Sequence, residues 1–254
     1  MYSTLSDALE SAGTDNPRGG ADRNRAQFDR WGITCLALIG SPSVGTTVLL
    51  ERTLASLKNQ LEVAAIAGGT LSEIEADRLR LQGVPVLAAR ADISSHLNSQ
   101  TIAEGLRQFE HQYTPSNFDL VWVERALDLV DPDGMAVGEH LKVALLEVTG
   151  GEDRLLEYAA VLREAHCILL TKIDLVCDVD LNGVEINIER LMTNVRQIAP
   201  NTTILPISTK TGAGFEAWLN WIRLQVALRS QSDKAARHEM AAVGNLSGSK
   251  STQR

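Results

Sequence analysis

Short runs of nearly unbroken apolar residues recur along this chain, separated by stretches in which apolar residues return every three or four positions. Residues 33–39, Ile-Thr-Cys-Leu-Ala-Leu-Ile, are the first such run, and their length and continuity fit a strand covered on both faces of a sheet. The same pattern predicts strands over 61–67, 84–89, 119–124, 141–148, 167–170 and 203–207. Between them the helical spacing predicts helices over 21–31, 47–60, 72–81, 99–111, 153–165, 184–198 and 214–228. In the fourth of these Ile102, Leu106 and Phe109 share one face, and Ser99 reads as the N-cap. Strands alternating with helices give an α/β fold, an open and mostly parallel sheet with helices on both faces, whose ligands sit at the carboxyl ends of the strands. Residues 1–20 are polar and read as a flexible arm. From residue 230 the apolar periodicity fades into Ser, Gly, Asn and Lys, so 230–254 reads as a disordered tail flanking a single domain over 21–229.

Composition narrows the picture. A chain of 254 residues that is 44% hydrophobic and 22% charged can bury one large core. Its formal net charge of −8, without a basic stripe, excludes a broad nucleic-acid surface. Cys35, Cys167 and Cys177 are scattered, and the first two fall in apolar runs, so they read as buried reduced thiols and point to the cytoplasm. No apolar run approaches the roughly 18 residues of a membrane span, and no export leader is expected.

The chemistry begins where the first strand ends. Gly40-Ser41-Pro42-Ser43-Val44-Gly45-Thr46-Thr47 fits the phosphate-loop pattern G-x-x-x-x-G-K-[ST] at every fixed position except the lysine, where Thr46 stands. Glycines let backbone N–H groups turn inward around a phosphate, and the following helix presents its positive end to the same anion. Thr46 has neither the reach nor the charge of the lysine that contacts the β- and γ-phosphates. Losing one charge-assisted hydrogen bond weakens binding about ten- to a hundredfold. Downstream, Thr171-Lys172-Ile173-Asp174 follows the sixth predicted strand and is similar to the [N/T]-K-x-D guanine-recognition motif. A carboxylate at Asp174 can accept from both the ring N–H and the exocyclic amine of guanine, and Lys172 can lay its stem along the base. Ser208-Thr209-Lys210, after the last strand, resembles the S-A-K loop that supports the base through backbone N–H. Each tetrapeptide alone is as readily an ordinary strand-end turn; together, in this order, they reinforce one another. Phe215, Trp218 and Trp221 read as a buried helix stripe, and Asp178 and Asp180 as a solvated loop.

With these stand Asn24-Arg25-Ala26 and Phe28, Leu49-Leu50-Glu51-Arg52, Glu75-Ala76-Asp77-Arg78, Glu147-Val148-Thr149 and Gly151-Glu152-Asp153. The set, spread over residues 21–228, resembles the hydrogenase nickel-incorporation GTPases of the HypB type. That resemblance implies a P-loop NTPase fold of the SIMIBI G-domain kind. It also implies GTP or GDP with Mg²⁺, dimerisation, and delivery of Ni(II) to hydrogenase. It places Gly40, Ser43, Val44, Gly45, Thr46 and Thr47 on the phosphates and Thr171, Lys172, Asp174, Ser208, Thr209 and Lys210 on the base. Thr47 and Glu124 would hold Mg²⁺.

The departures from the family cluster at its working parts. Its Glu-Gly-Asp is Ala67-Gly68-Gly69 here, and its Asn-Val-Gly-Asn switch is Arg125-Ala126-Leu127-Asp128. Leu127 cannot copy a glycine's close approach to a γ-phosphate. The family's Cys-His pair falls at Ser95-His96 and a further cysteine at Asp131. Ser95, His96 and Asp131 make a weaker and harder site for Ni or Zn than thiolates do. With one ligand retained, His96 is more often an ordinary surface or interface histidine. The expectation is therefore a HypB-like maturation factor with poor or absent GTP hydrolysis that acts by partner binding. Its partners would be a second copy or an intact paralogue, together with hydrogenase maturation proteins or the hydrogenase large subunit. A working GTP-hydrolysing nickel metallochaperone, or a P-loop chaperone of another metalloenzyme, are the competing readings.

Overall fold

The computed structural model describes residues 17–41, 44–67, 73–88, 98–126, 136–150, 153–176 and 187–248. The chain runs through α1 (Pro17–Trp31), β1 (Thr34–Gly40), α2 (Thr46–Leu57), β2 (Val63–Ala67), α3 (Glu73–Leu81), β3 (Val86–Ala88) and α4 (Ser99–Gln112). It continues with β4 (Leu120–Ala126), β5 (Leu141–Glu147), α5 (Asp153–Glu157), α6 (Ala159–Glu164), β6 (Cys167–Thr171), α7 (Ile188–Ile198), β7 (Thr203–Pro206) and α8 (Phe215–Gly248). The strands form one seven-stranded sheet in the order β3-β2-β4-β1-β5-β6-β7, parallel at every pairing. Every residue of β1 is buried, which its apolar run requires of a central strand.

Side chains alternate across β1 and split the core. Leu36 and Leu38 join Leu49, Leu50 and Leu54 of α2, Leu79 of α3, and Trp218 and Ile222 of α8. Cys35 faces the other layer, with Phe28 of α1 and Ile102, Leu106 and Phe109 of α4. Beyond β5, Leu155, Leu162, Leu191 and Val195 cover Ala144, Leu146, Ile168 and Leu170.

Helix α1 does more than cover a sheet face. Buried Asn24 donates from Nδ2 to the Ser99 carbonyl at 2.7 Å and to the Val137 carbonyl at 3.0 Å. Its amide thus ties the start of α4 to the approach to β5. Gly138 adopts φ 101°, and a Cβ there would lie 2.7 Å from the Ala21 carbonyl oxygen, so the contact requires glycine. His140 then fixes α1 to β1: its Nδ1 accepts from the Cys35 N–H at 2.8 Å, and its Nε2 lies 3.1 Å from Asp29 Oδ1. Acceptance at Nδ1 leaves the proton on Nε2, which donates to Asp29. The same carboxylate oxygen accepts from Arg229 of α8 at 2.5 Å. Burial first, and then the Arg229 charge, lower the His140 pKa to about 4, against the opposing pull of Asp29.

The structure departs from the sequence expectations in four places. The N-cap of α4 is Asn98, not Ser99; its side chain accepts from the Gln100 and Thr101 N–H groups, and Thr101 closes a reciprocal capping box. The helix expected over 153–165 is two short helices meeting at Tyr158, which has φ −98° and ψ 5°. The arm expected through residue 20 is helical from Pro17, with Gly20 buried. Finally, α8 does not stop near residue 228 but runs to Gly248 where a disordered tail was expected. Ala235, Ala236, Ala241 and Ala242 stand there among Lys234, Arg237, Glu239 and Met240, and their propensity sustains a helix without an apolar stripe. Among the described residues, no helix is long and apolar enough to cross a membrane.

Candidate functional site

Strand β1 lies between β4 and β5, at the point where successive connections turn to opposite sides of the sheet. Its carboxyl end is therefore where an open α/β sheet leaves a crevice. Gly40 closes the strand, and a Cβ there would lie 2.6 Å from Val44 Cγ1 and 3.3 Å from Leu145 Cβ, so a larger residue would have to displace Val44 where the turn packs back on the strand. Gly45 caps α2 in the left-handed region at φ 97°, with no side-chain hydrogen bond to the helix end. The first-turn N–H groups of a helix lack intrahelical acceptors. This combination is a backbone cradle for an anion, and it fits a phosphate. Thr46, at the lysine position, is only 9% exposed, and its Oγ1 lies 3.6 Å from where a Cβ on Gly40 would sit. Ser43 lies outside the described residues.

The base side is built onto the same loop. Thr171 ends β6 and donates from Oγ1 to the Val44 carbonyl at 3.2 Å, so its hydroxyl serves the phosphate loop. Lys172 is the non-glycine residue with positive φ, 62°, among the described residues. Its Nζ lies 2.5 Å from Glu147 Oε2 at the end of β5. That pairing fixes the head of the side chain whose stem the sequence reading lays along a base. Asp174 sits in the short 3₁₀ turn Ile173–Leu175 and accepts from Ser208 Oγ at 2.6 Å. Ser208 is fully buried, and its Oγ also accepts from the N–H groups of Lys210 at 3.2 Å and Thr211 at 3.0 Å. With its lone pairs so used, its own proton goes to Asp174. The Ser208 hydrogen bond, helped by the Lys210 and Lys172 charges, holds the Asp174 carboxyl below its usual range. An ionised carboxylate gripped by one oxygen retains acceptor capacity for adjacent N–H donors such as guanine offers.

Helix α2 reaches the base loop as well. Arg52 donates from Nη1 to the Thr209 carbonyl, and its guanidinium lies 4.9 Å from the Phe215 ring centroid. Nothing local in the sequence announces Arg52 or Glu147 in these roles, because their partners are far away in the chain. Both do fall within the stretches that carry the family resemblance.

Thr47 lies in the first turn of α2, and Glu124, half-buried, lies on β4 opposite Leu38 of β1, two residues before the rim at Gly40. A hydroxyl and a carboxylate are the hard oxygen donors that Mg²⁺ accepts, so the pair fits such an ion. Ser95, His96 and Asp131 lie outside the described residues, as do Gly68, Gly69 and Leu127. Among the described residues, no group of three or more His, Cys, Asp or Glu forms a metal-ligand cluster. Cys35 and Cys167 are buried thiols as expected, and burial pushes the Cys167 thiol up. Trp218 and Trp221 are buried and stacked at 5.6 Å, with Trp218 Nε1 donating to Thr53 Oγ1 at 3.0 Å, so they are structural. A separate cleft of about 380 Å³ between α1 and α4, lined in part by Arg23, Arg30, Trp31 and Arg107, opens on the sheet face opposite α2 and shares no residue with this arrangement.

No protein-family model matches the chain, but individual proteins do. Hydrogenase maturation factor HypB of Escherichia coli K12 is 33% identical over 205 residues, covering 81% of this chain and 68% of that protein. The HypB of Azotobacter vinelandii is 31% identical over 221 residues, 87% of this chain and 70% of that one. Among solved structures, HypB of Archaeoglobus fulgidus superposes with a TM-score of 0.73 at 26% identity, covering 84% of this chain and 100% of that one. HypB of Helicobacter pylori, solved in complex with nickel, superposes with a TM-score of 0.75 over 85% of this chain and 97% of that one; at 21% identity this likeness speaks for the fold alone.

Proposed function

The chain belongs to the HypB family of hydrogenase maturation factors, and from that premise we propose that it serves maturation mainly through protein contacts, binding guanine nucleotide weakly and hydrolysing GTP near the background rate. The observation that carries this reading is buried Thr46 at the lysine position, directly after Gly45 at the left-handed start of α2. Two cations beside the loop are engaged elsewhere: Arg52 with the Thr209 carbonyl and Lys172 with Glu147. Neither stands in for the lysine. Guanine selection stays with Asp174, Ser208 and Lys172, and phosphate binding with the backbone of Gly40 to Thr47. Thr47 and Glu124 would hold Mg²⁺, which when bound neutralises phosphate charge.

The partners of this reading are a second copy or an intact family member, and a maturation protein or the hydrogenase large subunit, in the cytoplasm. Nickel, present in the Helicobacter pylori relative, would bind only weakly at Ser95, His96 and Asp131, where hard or neutral side chains replace thiolates. Calorimetry with GTP and Mg²⁺ beside a phosphate-release assay tests the proposal. Thr46→Lys is expected to tighten GTP binding about ten- to a hundredfold over the native chain. Brisk, GTP-specific phosphate release by the native chain would overturn it in favour of a working GTPase.

A further inference from the structure

We infer that Arg52 is a positioning residue that sets guanine selectivity by holding the 208–214 loop onto the phosphate-binding helix. This rests on the guanine-nucleotide reading above. Arg52 lies on α2 two turns beyond the cradle, donates to the Thr209 carbonyl and covers the Phe215 ring at 4.9 Å. It therefore grips the loop at one point near its start and another just past its end. Between them the loop passes close under the guanidinium: at Gly212, φ 86°, a Cβ would lie 2.9 Å from Arg52 Nη2. The loop closes on itself through Ser208 N–H to the Ala213 carbonyl and Gly212 N–H to the Ser208 carbonyl, both at 2.9 Å.

Thr209 adjoins Ser208, the residue that orients Asp174 at 2.6 Å. A displacement of the Thr209 carbonyl is passed directly to the Ser208 hydroxyl and so to the carboxylate that faces the base. The phosphate cradle does not share this dependence, because it is formed by Gly40, Gly45 and the start of α2, upstream of Arg52. A planar, forked donor that also stacks on an aromatic ring cannot be replaced by an ammonium, so charge alone is not sufficient.

The test compares the native chain with Arg52→Ala and Arg52→Lys. Calorimetry is run with GDP and separately with pyrophosphate, and hydrogen exchange is followed over residues 208–214. The expected result is a loss of about tenfold in GDP affinity in both variants, as for one lost charge-assisted bond, with pyrophosphate affinity unchanged and faster exchange confined to the loop. Equal losses for GDP and pyrophosphate would reduce Arg52 to a general structural role, and unchanged GDP affinity would also overturn the inference. If the native chain takes up no GDP at millimolar concentration, the guanine-nucleotide reading fails, and Arg52's part in guanine selection fails with it. Unaltered loop exchange in both variants would overturn even its grip on the loop.

Discussion

Thr171 donates from Oγ1 to the Val44 carbonyl, 3.2 Å away, and joins the last residue of β6 to the turn that precedes α2. The bond is buried, so removing the hydroxyl leaves a carbonyl without its donor and without water to replace it. Thr171→Val preserves shape and β propensity and is expected to cost about 1–3 kcal/mol. Thr171→Ser, which keeps the donor, should lose less. Urea unfolding midpoints of the two variants check this, and equal midpoints would show that the bond contributes nothing.

Acid should weaken the fold through His140. Its folded pKa of about 4 lies below the ordinary histidine value of 6.5, so the unfolded chain binds the proton more readily between those values. The stabilisation is complete above pH 6.5, declines as the pH falls, and is gone below pH 4; the whole effect is roughly 3 kcal/mol. Between pH 7 and pH 5 the native chain should lose about 2 kcal/mol more stability than His140→Gln, whose side chain does not titrate. Parallel pH profiles of the two proteins in urea titrations would refute the assignment.

Asn24 offers a sharper substitution test, since both of its donors are used. Asn24→Ala leaves the Val137 carbonyl without this donor and removes a second bond to Ser99, whose carbonyl keeps its place in the α4 ladder, and is expected to cost roughly 1–3 kcal/mol. Asn24→Asp keeps the size but only accepts hydrogen bonds, and it sets a carboxylate against two carbonyl oxygens. It should therefore unfold at a lower temperature than the alanine variant. The opposite order, read by thermal unfolding, would mean that volume rather than donation governs the site.

Much of the architecture was legible because the strands are covered on both faces. The runs around Leu36, Val121, Leu145 and Leu169 are almost unbroken apolar residues, and that continuity is visible without knowing any partner. The turn between β1 and α2 and the turn after β6 at Thr171 to Asp174 were legible for a related reason, since each is a run of residues adjacent in sequence. Ser99 was mistaken for the cap held by Asn98 because two neighbouring short polar residues compete for one role, and only backbone geometry at the helix start decides between them. The length of α8 escaped because periodicity reports a helix only where a face is buried, and its later residues rely on propensity instead. Arg52 with Thr209, Lys172 with Glu147, and Asp29 with both His140 and Arg229 are contacts across long stretches of chain. A side-chain pair of that kind leaves no periodic trace.

The central place of β1 also governs the order in which this protein can assemble. Its first register partner on one edge is Leu120, and on the other, for Leu36, it is Leu141. Both edges of the strand thus wait for segments made much later on the ribosome, and such distant parallel pairing is intrinsically slow. The turn at Gly40, synthesised early, cannot be braced by Leu145 or Thr171 until the second half of the chain has emerged. A nascent chain halted before β5 would carry the phosphate-loop sequence without the neighbours that give it shape, exposing an apolar strand that invites chaperone capture or misassociation.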